Sequence, residues 1–101
     1  MKGDLLKENY KILEHYGLEK QAIIWIEELS ELTKELTKRL RKGCFTEESL
    51  NNMKLEVTDV QVAIDQIKKA IGYSLEEQEA NYRFKVRRTL GGINESNWFI
   101  K

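Results

Sequence analysis

Two stretches decide the fold: residues 18–41, LEKQAIIWIEELSELTKELTKRLR, and residues 46–71, TEESLNNMKLEVTDVQVAIDQIKKAI. In the first, Leu18, Ala22, Trp25, Leu29, Leu32 and Leu36 recur at steps of 4-3-4-3-4. In the second, Leu50, Met53, Val57, Val60, Ile64, Ile67 and Ile71 recur at 3-4-3-4-3-4. Such spacing lays an apolar row along one side of each helix and predicts shallow-angle packing between them. Gly43 marks the break between the two, so the pair reads as an antiparallel helical hairpin.

To either side the chain continues as helix. The expected elements are residues 4–16, with Asp4 as N-cap and Gly17 in a left-handed cap conformation; 18–41; 46–71; and 74–90, with Ser74 as N-cap before Glu76, Glu77 and Glu79. A short tail, 91–101, follows the Gly91-Gly92 pair and carries Trp98, Phe99 and Ile100, expected to dock on the bundle or on a partner. Thr46 caps the third helix, but Ser49 rather than a glutamate stands three residues on, so no full capping box is expected there. Leu55 and Val62 fall on the far side of that helix, where another helix face, of this chain or of a second subunit, should cover them. The fold class is all-α, an antiparallel four-helix bundle-like single domain.

At 101 residues the chain holds one modest core. Its 17 basic and 17 acidic residues balance, which gives no electrostatic bias toward nucleic acid or an anionic membrane surface. No apolar run has the length of a signal peptide or a membrane span, and Cys44 has no partner cysteine, so a cytoplasmic protein is expected. With His15 as its only candidate helper, Cys44 does not carry the signature of a catalytic thiol.

Chemistry points instead to two acidic pairs, Glu28/Glu31 and Glu56/Asp59. Each is spaced i,i+3, so its carboxylates are neighbours roughly 4.5 Å apart along the helix axis. Glu28 precedes Leu29 and Glu56 precedes Val57, which puts both pairs on the same flank of their apolar rows. Glu28 with Asp59, and Glu31 with Glu56, share a midpoint between Gly43 and Cys44, so a hairpin closed there sets the pairs opposite each other. Glu35 continues the flank as a further ligand or a support. Four carboxylates gathered beside a seam repel unless a cation neutralises them, and oxygen-only ligands favour Mg2+, or Mn2+ in its place, over zinc. The alternative is a solvated face balanced by Lys34, Lys38, Arg39 and Lys54. A di-iron carboxylate bundle is disfavoured, because it requires Glu-x-x-His pairs and His15 does not follow a glutamate by three.

The run Ile26-Glu27-Glu28-Leu29-Ser30-Glu31-Leu32, followed by Glu56-Val57-Thr58-Asp59-Val60, resembles the Glu-x-x-Glu … Glu-x-x-Asp signature of the MazG-like all-α nucleoside triphosphate pyrophosphohydrolases. The resemblance spans about residues 15–90. It implies that Glu28, Glu31, Glu56 and Asp59 bind Mg2+, that one of them or an adjacent glutamate orients or deprotonates water, and that a nucleoside triphosphate is split to monophosphate and pyrophosphate. It also implies a homodimer or homotetramer.

Asn81-Tyr82-Arg83-Phe84 and Arg87 are similar to that family's Asn-x-Lys-Phe segment and later arginine, with Arg83 in the lysine's place. The resemblance therefore implies phosphate contacts from Arg83 and Arg87, with Lys85 beside them; the alternative is a basic surface answering Glu76, Glu77 and Glu79. Gln21 lies on the flank of Glu28 and is a candidate for contact with the nucleotide, whereas Trp25 is expected in the core. The rival reading of the whole chain is a non-catalytic helical interaction or nucleotide-binding module.

Overall fold

A computed structural model describes the backbone of residues 3–99 and side chains as far as residue 93. The described residues form four helices and no strand: α1 (Gly3–Tyr16), α2 (Leu18–Lys42), α3 (Glu47–Ala70) and α4 (Leu75–Phe99). The all-α class predicted from periodicity is what the structure shows. Helices α1–α3 make one compact unit and α4 another, divided between Ile71 and Gly72.

Each boundary has a local cause. Gly17 separates α1 from α2 with φ 87° and ψ 166°, a conformation open to glycine but not the left-handed helical one expected. Gly43 ends α2 in the left-handed region, φ 70°, and its N–H donates to the Arg39 carbonyl at 2.8 Å. At Thr46 the sequence reading is corrected. The Thr46 Oγ1 accepts from the Ser49 N–H at 3.1 Å, and the Ser49 Oγ accepts from the Thr46 N–H at 2.8 Å, so a complete capping box is present. A serine hydroxyl has lone pairs enough to replace the glutamate usually found there.

Within the first unit α2 packs on α3 over most of its length and α1 touches both. The Gln21 Nε2 donates to the Gln66 Oε1 at 3.0 Å, which pairs the start of α2 with the end of α3 and fixes the antiparallel hairpin. The rotation of the two helices differs from expectation. The most covered row of α2 runs Gln21, Trp25, Glu28, Leu32, Glu35 and Arg39, and that of α3 runs Ser49, Met53, Glu56, Val60, Ala63 and Gln66. Only Trp25 and Ala63 are buried apolar residues among those described, beside buried Gln21, Arg39, Ser49 and Gln66.

The leucine row is displaced to one side. Leu29 follows Glu28, and Val57 follows Glu56, by a step of about 100° in the same sense. On antiparallel helices equal offsets fall on the same side of the hairpin. Leu18, Leu29, Leu36, Leu50 and Val57 thus share one face and stay exposed, Leu29 at 41% and Val57 at 48%. Leu55 is exposed as well, while the backbone at Val62 receives a hydrogen bond from α1, the Asn9 Nδ2 donating to the Val62 carbonyl at 3.0 Å.

In the second unit Ser74 caps α4 as expected. Its Oγ accepts from the Glu77 N–H at 3.2 Å and donates to the Glu77 Oε1 at 2.8 Å. The Glu77 Oε1 also accepts from the Ser74 N–H at 3.2 Å, and the two hydrogen bonds it receives, from the Ser74 hydroxyl and N–H, hold the Glu77 carboxyl below its usual value. Helix α4 does not stop at Leu90: it passes through Gly91 and Gly92 to Phe99, and neither glycine has positive φ. The expected docking of Trp98, Phe99 and Ile100 lies outside the residues whose side chains are described.

Candidate functional site

The hairpin register fixes what meets across it. Glu28 from α2 and Glu56 and Asp59 from α3 each offer a carboxylate oxygen, and the three oxygens lie within 4.8 Å of one another. Glu28 and Glu56 are half-buried and Asp59 is exposed. The Glu56 Oε2 is buried and accepts no hydrogen bond. A carboxylate oxygen removed from water without a donor is a costly arrangement.

The cluster raises the pKa of Glu28. Partial burial lifts it first, the charges of Asp59, Glu56 and Glu27 push the same way, and a hydrogen bond from its protonated form to Asp59 adds to them. Three carboxylates so placed either share a proton or share a cation. The second option also provides a partner for the Glu56 Oε2, so the donor set suits a hard divalent ion.

Glu31 is exposed and outside this trio, although it is one turn from Glu28 on α2. Glu35 stands near Arg39 rather than the acids: its Oε1 lies 3.4 Å from the Arg39 Nε. Glu28 and Asp59 of the trio also border a cleft of about 120 Å³, whose walls include Gln21, Ile24, Trp25 and Gln66. Gln21, a candidate from sequence, is therefore in the same cleft as Glu28 and Asp59. Arg83, Lys85 and Arg87 lie on α4, in the second unit, all exposed.

Gln66 is the site residue that sequence reading missed. It is buried at the inner end of the cleft and joins three helices: its Oε1 accepts from the Trp25 Nε1 at 2.7 Å and from Gln21, and its Nε2 donates to the Asn9 Oδ1 at 2.7 Å. A signal was present, since Gln66 follows Asp59 by one heptad and so continues the acidic flank of α3. Trp25 is buried beside it, as expected of a core residue.

Comparison of the chain with protein-family models, with curated proteins and with solved structures finds no match to any of them.

Proposed function

We propose that the protein is a Mg2+-dependent nucleoside triphosphate pyrophosphohydrolase of the MazG-like all-α type, splitting NTP or dNTP to the monophosphate and pyrophosphate. The observation that carries this reading is the buried, unpartnered Glu56 Oε2 within a trio of carboxylates drawn from two helices. Glu28, Glu56 and Asp59 would hold the ion, and Glu31 is the fourth ligand that the sequence resemblance implies. A divalent ion bound there supplies charge to offset a phosphate chain and lowers the pKa of a water. A neighbouring carboxylate orients that water and accepts its proton. Gln21, in the same cleft, would contact the nucleotide. Arg83, Lys85 and Arg87 carry the positive charge that the resemblance assigns to phosphate contact.

The test is to incubate the protein with each common NTP and dNTP, with Mg2+ or with EDTA, and to separate the products. Metal-dependent monophosphate plus pyrophosphate, lost in Glu56→Gln, is the expected result. Absence of turnover for every nucleotide would reject the reading.

The exposed face of Leu18, Leu29, Leu36, Leu50 and Val57 favours a second reading, a non-catalytic helical interaction module. In the enzyme reading the same face is covered by a second copy of the chain, giving a homodimer or homotetramer. Light scattering separates the two. A dimer or tetramer in wild type that dissociates in Val57→Glu supports self-association, and a monomer in both supports a different partner.

A further inference from the structure

Three side chains lining the cleft, Gln21, Trp25 and Gln66, form one hydrogen-bonded relay with Asn9 of α1, and the orientation of every amide in it follows from a single group. The Trp25 indole N–H can donate and cannot accept. It points at Gln66 from 2.7 Å, so the atom facing it must be the Gln66 Oε1. The Gln66 Nε2 is thereby turned to α1, where the atom receiving it must be the Asn9 Oδ1, and the Asn9 Nδ2 is left to donate to the Val62 carbonyl. In the other direction, the Gln21 atom that meets the Gln66 Oε1 must be its Nε2. Reversing any one amide would set two donors or two acceptors face to face.

The consequence concerns Gln21. With its Nε2 committed to Gln66, its Oε1 accepts no hydrogen bond from the described residues, and in a residue that is otherwise buried and lines the cleft this oxygen stays accessible to solvent. It is an acceptor held in a fixed orientation and open to a donor entering the cleft. The walls beside it, Ile24, Val62 and Ala63, are apolar and suit the face of a planar ring. At about 120 Å³ the cleft is well below the ~300 Å³ at which pockets begin to enclose drug-sized ligands, a size nearer to one ring than to a fused pair. Gln21 precedes Glu28 by two helical turns, about 10 Å along the axis, so a ligand with phosphates at the acids can place a base here.

We infer that the Gln21 end of the cleft is a subsite for the N–H edge of a single-ring nucleobase, with Trp25 and Gln66 as positioning residues that hold the Gln21 amide oxygen toward it. This inference rests on the nucleotide reading above and adds to it a class of base and the device that selects it. Asn9 extends the relay to α1, which has no buried residue of its own and is tied to α3 through these amides.

The experiment is NMR of the side-chain amides and indole N–H of the full chain, titrated in Mg2+ with α,β-imido nucleoside triphosphates carrying uracil, cytosine, adenine or guanine. Single-ring analogues should shift the Gln21 amide and the Trp25 indole and bind at least about tenfold tighter than two-ring analogues. In Trp25→Phe, and separately in Gln21→Met, that ratio should fall to within about threefold while Mg2+ affinity is kept, which certifies that the acidic trio is still assembled. Equal binding of one- and two-ring analogues, or Mg2+-dependent binding that leaves the Gln21 amide unmoved, overturns the subsite and leaves the pyrophosphohydrolase reading standing. No Mg2+-dependent binding of any analogue overturns both.

Discussion

Glu28 on α2 and Asp59 on α3 face each other across the hairpin, with carboxylate oxygens within 4.8 Å. The partial burial of Glu28, and after it the repulsion from Asp59, raise its pKa, which ties stability to pH with a definite sign. A carboxyl whose folded-state pKa lies above its unfolded value favours folding while it is protonated, at about pH 4 and below, and that contribution is lost as pH rises through the raised value. Glu28→Gln should therefore raise the apo melting temperature at pH 7 by a few degrees, about what 0.5–1 kcal/mol does in a chain of this size, and have little effect at pH 4. Thermal scans of both proteins at the two pH values decide it; equal melting temperatures at pH 7 would reject the repulsion.

The same trio predicts a graded response to Mg2+ or Mn2+. The ion should raise the wild-type melting temperature in proportion to occupancy, because binding to the folded state alone stabilises it. Glu56→Gln and Asp59→Asn should each weaken the ion by about tenfold or more, roughly 1.4 kcal/mol. Glu31→Gln should weaken it less, since Glu31 lies outside the group of three. Calorimetric titration with the metal alone measures all of these. An effect of Glu31→Gln as large as that of Glu56→Gln would show that a fourth carboxylate closes around the ion.

Much of this was legible in the sequence, and the exceptions are informative. Register was readable because Glu28 with Asp59 and Glu31 with Glu56 share a midpoint beside Gly43, the residue that takes the left-handed turn. Rotation was not. A 3-4 row of leucines states which side of a helix is apolar, not which neighbour it meets. Here the buried interface of α2 and α3 is drawn from the flank where Ala63 and Ser49 are small and where Trp25, Gln21 and Gln66 satisfy one another. The relay escaped notice for the same reason: its amides lie next to apolar positions and become partners only once the rotation is known.

The capping box at α3 gives a stability test. Ser49 is buried, accepts from the Thr46 N–H at 2.8 Å and donates to the Thr46 carbonyl at 3.0 Å. Ser49→Ala leaves that N–H without its acceptor and should cost about 1 kcal/mol, and Thr46→Ala a similar amount. Because the two act as one unit, the double variant should lose less than the sum. Urea denaturation of the four proteins provides the cycle, and strict additivity would argue against the reciprocal pair.

Gly91 and Gly92 lie inside α4, where a Cβ at either position would meet nothing within 4 Å among the described residues. Their cost is then one of backbone freedom alone. Gly91→Ala and Gly92→Ala should each add about 0.5–1 kcal/mol to the helix and increase its circular dichroism signal. Gly43→Ala should do the opposite, because its φ of 70° is strained for any residue with a Cβ. A glycine ends a helix where the chain adopts positive φ, as at Gly43, and Gly91 and Gly92 do not.

Arg39 poses a charge problem that the acids do not solve. It is buried, its Nε makes no hydrogen bond, and the nearest carboxylate is that of Glu35 one turn earlier, at 3.4 Å. A buried cation with one partly covered partner gains little from the pairing, but loses much if the partner is removed. Glu35→Gln should therefore cost about 1–2 kcal/mol. Arg39→Met keeps the hydrocarbon stem that fills the space and removes the charge, so it should fall within about 1 kcal/mol of wild type on either side. The pair together, Glu35→Gln with Arg39→Met, should recover most of what the first change loses, since the stranded guanidinium is gone. Denaturant unfolding of the three variants reads this directly; a double variant as unstable as Glu35→Gln alone would show that Glu35 acts through something other than Arg39.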